Sequence, residues 1–256
     1  MADRQDRGQS PSRQGVAASV GDRPARRGYR GGMSSIAFAL AVLAAGFAVV
    51  YLLRHCGEAE SRARSATKTL ATGLLAASAL VAGAPSLLVA GLALGAVGDL
   101  MLSRSGARAF LAGLAAFAIA HLAYTALFLT IGAAPARLMA PERNPAALAL
   151  LALGIAMGWR LWPVTGALRW PVLVYVGIIV VMGMAALSLP IPPTGPYDPL
   201  VAIAAAALFI LSDAILAFEL FLLPATHRLR RISPYAVWTS YWLAQALFLG
   251  AFAGLT

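Results

Sequence analysis

The sequence predicts an all-α fold: a polytopic membrane helix bundle of about eight transmembrane helices, preceded by a disordered basic N-terminal tail. Three observations carry this. Hydrophobic residues fill 60% of the 256 positions, charged residues only 12%, and mean hydropathy is +0.78, whereas a soluble domain carries about 25% charged residues. The apolar residues gather into eight runs, each close to the ~20 residues that cross ~30 Å of hydrocarbon. The 20 basic residues lie almost wholly in the tail and in the short segments between runs. That is the distribution of a protein held against anionic headgroups, and it argues against nucleic acid as a partner.

Residues 1–32 hold seven arginines among Gly, Ser, Pro and Gln, so they cannot bury enough apolar surface to fold. Met33 stands just before the first apolar run and is a candidate start of translation. No cleavage-like site follows that run, which therefore reads as a span and not as a signal peptide. Two regions result: the Arg-rich tail, 1–32, and a transmembrane domain, 33–256. The spans fall near 33–53, 67–83, 86–102, 107–131, 146–162, 170–189, 199–222 and 233–255. Gly and Pro punctuate the connections, at Gly83-Ala84-Pro85, Ser103 to Gly106, Pro141 to Pro145 and Pro190 to Pro199. Such short connections make sequential helices neighbours. The single cysteine, Cys56, rules out an internal disulfide and argues against a Cys-based metal site.

Charge also bears on orientation. The connections after helices 1, 3, 5 and 7, with their flanks, contain Arg54, Arg62, Arg64, Lys68, Arg104, Arg108, Arg160, Arg169, Arg228, Arg230 and Arg231; the opposite face has only Arg137 and Arg143. The positive-inside rule puts the first set in the cytoplasm. The tail arginines argue the other way, a conflict that a start at Met33 would soften. The expected location is a cell membrane crossed several times, the inner membrane in a bacterium.

Polar residues inside the spans are the candidates for function. A carboxylate at membrane depth costs roughly 2.5–3.5 kcal/mol on insertion scales, so Asp99 and Asp213 come first, with Asp213 read as the deeper. Lys68 opens helix 2, His121 and Tyr124 are mid-helix 4, and Tyr241 and Gln245 lie in helix 8. Helix polarity puts most of them in the half of the bundle facing the basic connections, which suggests one polar cavity opening there. Gly91, Gly95 and Gly98 line one side of helix 3 and let a neighbour approach, carrying Asp99 inward. His121 and Tyr124 share a helix face, as do Tyr241 and Gln245, with Trp238 extending that stripe. Glu219, six residues past Asp213, is off its face and reads as solvated.

These residues resemble the YhhN family of integral membrane proteins, whose characterised members are lysoplasmalogenases. The similarity runs through Lys68-Thr69, Gly98-Asp99-Leu100, Phe110-Leu111-Ala112-Gly113 leading to His121 and Tyr124, and Arg169-Trp170-Pro171 with Tyr175. It continues through Leu208-Phe209-Ile210-Leu211-Ser212-Asp213 with Leu216-Ala217, and ends on Tyr241-Trp242-Leu243-Ala244-Gln245. Order and spacing carry the resemblance. One departure is visible: Thr69 stands where family members usually have Pro.

The resemblance implies a hydrolase that cleaves the vinyl ether bond of a lysoplasmalogen to a fatty aldehyde and a glycerophospho-ethanolamine or -choline. It implies a lysophospholipid substrate, the lipid bilayer as surroundings, and neither cofactor nor metal. Such a bond is hydrolysed by protonating its β-carbon and capturing the resulting oxocarbenium ion with water, so one acid and one stabilising carboxylate suffice. Asp213 is assigned as the acid and Asp99 as the base or ion stabiliser. Lys68 and Arg169 are candidates for the substrate phosphate, although Arg169, beside Trp170, also suits snorkelling to headgroups. His121, Tyr124, Ser212, Tyr241 and Gln245 complete the expected substrate-binding set.

Other classes fit less well. Another lysolipid or ether lipid would need the same carboxylates, and midplane aspartates also serve proton-coupled transporters, but no inverted repeat or matching pair of interrupted helices is visible. A metal hydrolase wants about three ligands round an open position, and of the three histidines His55 and His227 sit in connections. No Gly-x-Ser-x-Gly supports a serine hydrolase. Oligomeric state is not legible.

Overall fold

The structure, a computed structural model, describes residues 33–253; the tail assigned to 1–32 lies outside the described residues. Among these residues there are eight α-helices and no strand: α1 (Ser35–Arg54), α2 (Arg62–Val81), α3 (Ser86–Leu102), α4 (Ala107–Thr130), α5 (Asn144–Leu161), α6 (Arg169–Leu187), α7 (Pro199–Phe221) and α8 (Ser233–Phe252). The predicted runs and the helices agree to within a few residues except at the start of α2. There, Ser61 accepts a hydrogen bond from the Arg64 amide and caps a helix beginning five residues before the apolar run. Lys68 therefore lies well inside α2 instead of opening it, because the polar first turns are helical without being hydrophobic.

Five helices, α1, α4, α5, α6 and α7, are long and apolar enough to cross a membrane. The other three fall short for readable reasons. α3 has only 17 residues. α2 carries Arg62, Arg64 and Lys68, and α8 carries Ser, Thr, Tyr, Trp and Gln side chains. These three helices supply much of the polar interior described below.

Sequential helices pack together throughout, save that α4 passes over α5 to pack on α6; α8 returns to touch α1, α2 and α3. The central core contains Leu88, Leu92, Tyr124, Phe128, Phe209 and Phe248, all fully enclosed. Close helix approach depends on α3's glycines. A Cβ at Gly91 would stand 2.5 Å from the Tyr124 ring, one at Gly98 2.6 Å from Phe117, and one at Gly95 2.5 Å from Nε2 of Gln245. The two arginines of the less basic face are structural. Arg137 and Arg143 donate to the carbonyls at the end of α6 and just beyond, Ser188 in one case and Leu187 and Leu189 in the other, groups that a helix C-terminus leaves without partners.

Candidate functional site

Two carboxylates face one cavity of about 470 Å³, each in its own hydrogen-bonded setting. Asp99, on α3, is fully buried. Its Oδ1 lies 3.2 Å from Nζ of Lys68, and its Oδ2 accepts from Thr72 Oγ1 at 2.8 Å and from the Tyr241 hydroxyl at 2.9 Å. Lys68 and Thr72 are one helical turn apart on α2, so one face of one helix supplies both partners. Tyr241 is held in turn by Gln245 Nε2 at 3.3 Å, and Gln245 Oε1 accepts from Tyr124 at 2.6 Å. A chain of donors from α4 through α8 thus ends on Asp99. Together with the ammonium it provides what a buried anion needs.

Asp213, on α7, differs. Its side chain is 10% exposed against 1% for Asp99; Gly95 and Gly98 let the neighbours close on α3 and enclose Asp99. Asp213 Oδ2 accepts from the Tyr175 hydroxyl at 3.0 Å and lies 3.3 Å from Nε2 of His121. The other ring nitrogen, Nδ1, is 2.6 Å from the Phe117 carbonyl. A carbonyl only accepts, so Nδ1 carries a proton, and a neutral ring then turns a bare Nε2 toward the carboxylate. Two acceptors facing each other require a proton between them, either on Asp213 or as a second proton on His121.

The other expected residues divide. Tyr241 lines the cavity; His121, Tyr124 and Gln245 stand behind it and orient its walls. Ser212 lines it too, but its hydroxyl donates to the Val237 carbonyl at 3.1 Å and ties α7 to α8. Arg169 is not brought to the cavity. It is exposed, donates to the Gly166 carbonyl and stacks 5.3 Å from the Trp162 ring, the snorkelling arrangement that its position beside Trp170 allowed. Arg64, a turn before Lys68, lines the cavity where Arg169 was expected to act. Glu219, expected to be solvated, also lines it, with Oε2 buried and without a hydrogen-bond partner. Thr72 and Tyr175 were missed as well. Thr72 had a signal, the four-residue spacing from Lys68; Tyr175 sat in the matched text with nothing to say what it faced.

The cavity wall facing the basic connections is aromatic. Tyr51 and Trp238 pack with ring centroids 4.3 Å apart, and Lys68 Nζ stands about 6 Å from each ring. Nearby, burial pushes the Cys56 thiol up to about 11 against the opposing pull of Lys68 and Arg64, so it stays protonated and inert at neutral pH.

A second, apolar groove adjoins the cavity. Its walls come from α4, α5, α6 and α7, including Phe110, Leu150, Met157, Val176 and Ala217, and Asp213 belongs to both linings. Fold and site together define a helical membrane protein with a charge-paired polar cavity opening beside an apolar groove. The chain belongs to the YhhN family, whose family model matches residues 63–252, from the first turn of α2 to the end of α8. No curated protein and no solved structure is significantly similar to it.

Proposed function

We propose that the protein hydrolyses the vinyl ether bond of a lysoplasmalogen within the membrane. The observation that carries this reading is the place of Asp213, where a polar, charged cavity meets an apolar groove. A single-chain lipid has the same division, with its ether linkage at the boundary between headgroup and hydrocarbon. A substrate laid across that boundary would bring its reacting bond to the carboxylate.

The two settings divide the chemistry. The Asp213–His121 pair delivers its proton to the β-carbon of the double bond, leaving an oxocarbenium ion at the ether carbon. Asp99, beside the Lys68 ammonium and hydrogen-bonded by Thr72 and Tyr241, faces the same cavity and is the carboxylate that stabilises that cation. Water adds to the cationic carbon and gives up a proton to the carboxylate system, forming a hemiacetal. Breaking the carbon–oxygen bond then releases a fatty aldehyde, and the departing glycerol oxygen takes a proton. The sum is one water consumed, with the acid restored. In the same reading all eight helices are spans, the lower hydropathy of α2 and α8 being that of helices turned inward, and Arg64 and Lys68 receive the phosphate.

The test is aldehyde release from a lysoplasmalogen by the purified protein in detergent, beside Asp99→Asn and Asp213→Asn. Release by the wild type, lost in both variants, is expected. A folded wild type that releases no aldehyde would overturn the assignment and favour another lysolipid substrate.

A further inference from the structure

The cavity's charges are sorted in a way that neither carboxylate's role explains. Arg64 and Lys68 lie on α2; Glu219 lies at the end of α7, and Glu58 sits at the rim. Glu219 forms no ion pair among the described residues, where the pairs are Lys68–Asp99 and His121–Asp213. Its Oε2 is buried and receives no hydrogen bond. Arg230, beside it, is already committed: its guanidinium donates to the backbone carbonyls of Glu219, Leu223 and Pro224 at 2.6, 2.9 and 3.1 Å. Across the cavity, the buried Nε of Arg64 also lacks a partner. Arg64 and Glu219 thus line one space without forming an ion pair, and an unpartnered charge of this kind is costly unless a ligand answers it.

We propose that Glu219 is the receptor for a ligand's ammonium group, and that the cavity selects a zwitterionic phosphoethanolamine headgroup, phosphate toward Arg64 and Lys68 and ammonium toward Glu219. The aromatic faces of Tyr51 and Trp238 are already turned to Lys68, which leaves the carboxylate as the cation's partner. A primary ammonium carries three donors, and Oε2 is an acceptor in want of one. The inference rests on reading the cavity as a lysolipid site but not on the reaction performed there.

The test therefore uses ligands that cannot be cleaved. Two saturated 1-alkyl ether lysolipids of equal chain length, one with a phosphoethanolamine and one with a phosphoglycerol headgroup, share the phosphate and end in an ammonium in one case and a neutral diol in the other. Binding to the full-length protein in a non-ionic detergent should favour the ethanolamine lipid by about tenfold, the scale of one partly desolvated ion pair. Glu219→Gln, close to isosteric, should erase the preference while leaving phosphoglycerol binding and the melting temperature unchanged. Equal binding of the two lipids by the wild type, or a preference that survives in Glu219→Gln, would overturn the proposal. Preferential binding by a protein that releases no aldehyde from a vinyl ether would uphold the Glu219 assignment and reject the reaction alone.

Discussion

Asp213 faces His121 across 3.3 Å, through the one ring nitrogen that the Phe117 carbonyl leaves free. Asp99 has no such neighbour; an ammonium and two hydroxyls surround it. Two aspartates lining one cavity thus sit in different chemical settings, one beside an ammonium and two hydroxyls and one beside an imidazole and a phenol, and each setting makes a different mutation informative.

Replacing His121 by Asn keeps a side-chain N–H able to reach the Phe117 carbonyl but removes the partner of Asp213. The rate at saturating substrate should fall roughly 100-fold, the contribution of a positioned acid–base group, with little change in melting temperature. A pH–rate profile of altered shape is the distinguishing readout, since a merely structural histidine would leave that shape intact.

Lys68→Met strips Asp99 of its counter-charge inside the bundle. Removing one member of a buried pair costs about 3–5 kcal/mol, so this variant should melt well below the wild type. The double variant Lys68→Met/Asp99→Asn should recover much of the loss, as a double-mutant cycle of thermal unfolding in detergent would show.

Gly95→Ala would drive a methyl to within 2.5 Å of Gln245 Nε2 and 3.1 Å of the Tyr241 hydroxyl, both in the chain of donors that ends on Asp99. Gly46→Ala in α1 meets nothing within 4 Å and gains helix propensity of about 0.5–1 kcal/mol. Activity should drop in the first variant and hold in the second, with melting temperatures moving in opposite directions.

Much of the fold is legible in the amino-acid sequence for identifiable physical reasons. Hydropathy outlined the eight helices because apolar runs are visible without tertiary information, and the glycines of α3 signalled close approach because only a missing Cβ permits it. Hydropathy does not mark a helix whose first turns are polar, as at the start of α2. Glu219 was placed by its spacing from Asp213 along one helix, and Arg169 by its position at the basic end of α6. Whether each faces the cavity depends on how α6 and α7 are rotated against their neighbours, which no local pattern records.

The groove beside Asp213 should hold the substrate's hydrocarbon chain. Ala217→Phe fills part of that groove, and excluding about two methylenes should raise KM for a long-chain substrate roughly tenfold. A short-chain homologue should be handled as by the wild type; equal losses for both would place the chain elsewhere.

Hydrolysis in heavy water tests the central claim most directly. If an enzyme acid protonates the β-carbon, the aldehyde released in D2O and trapped by reduction will carry one deuterium on the carbon next to the former carbonyl, and in H2(18)O its oxygen will come from solvent. Both labels should disappear with the activity in Asp99→Asn and Asp213→Asn. Aldehyde formed without deuterium at that carbon, or labelled product persisting in both variants, would contradict catalysis by this pair of carboxylates.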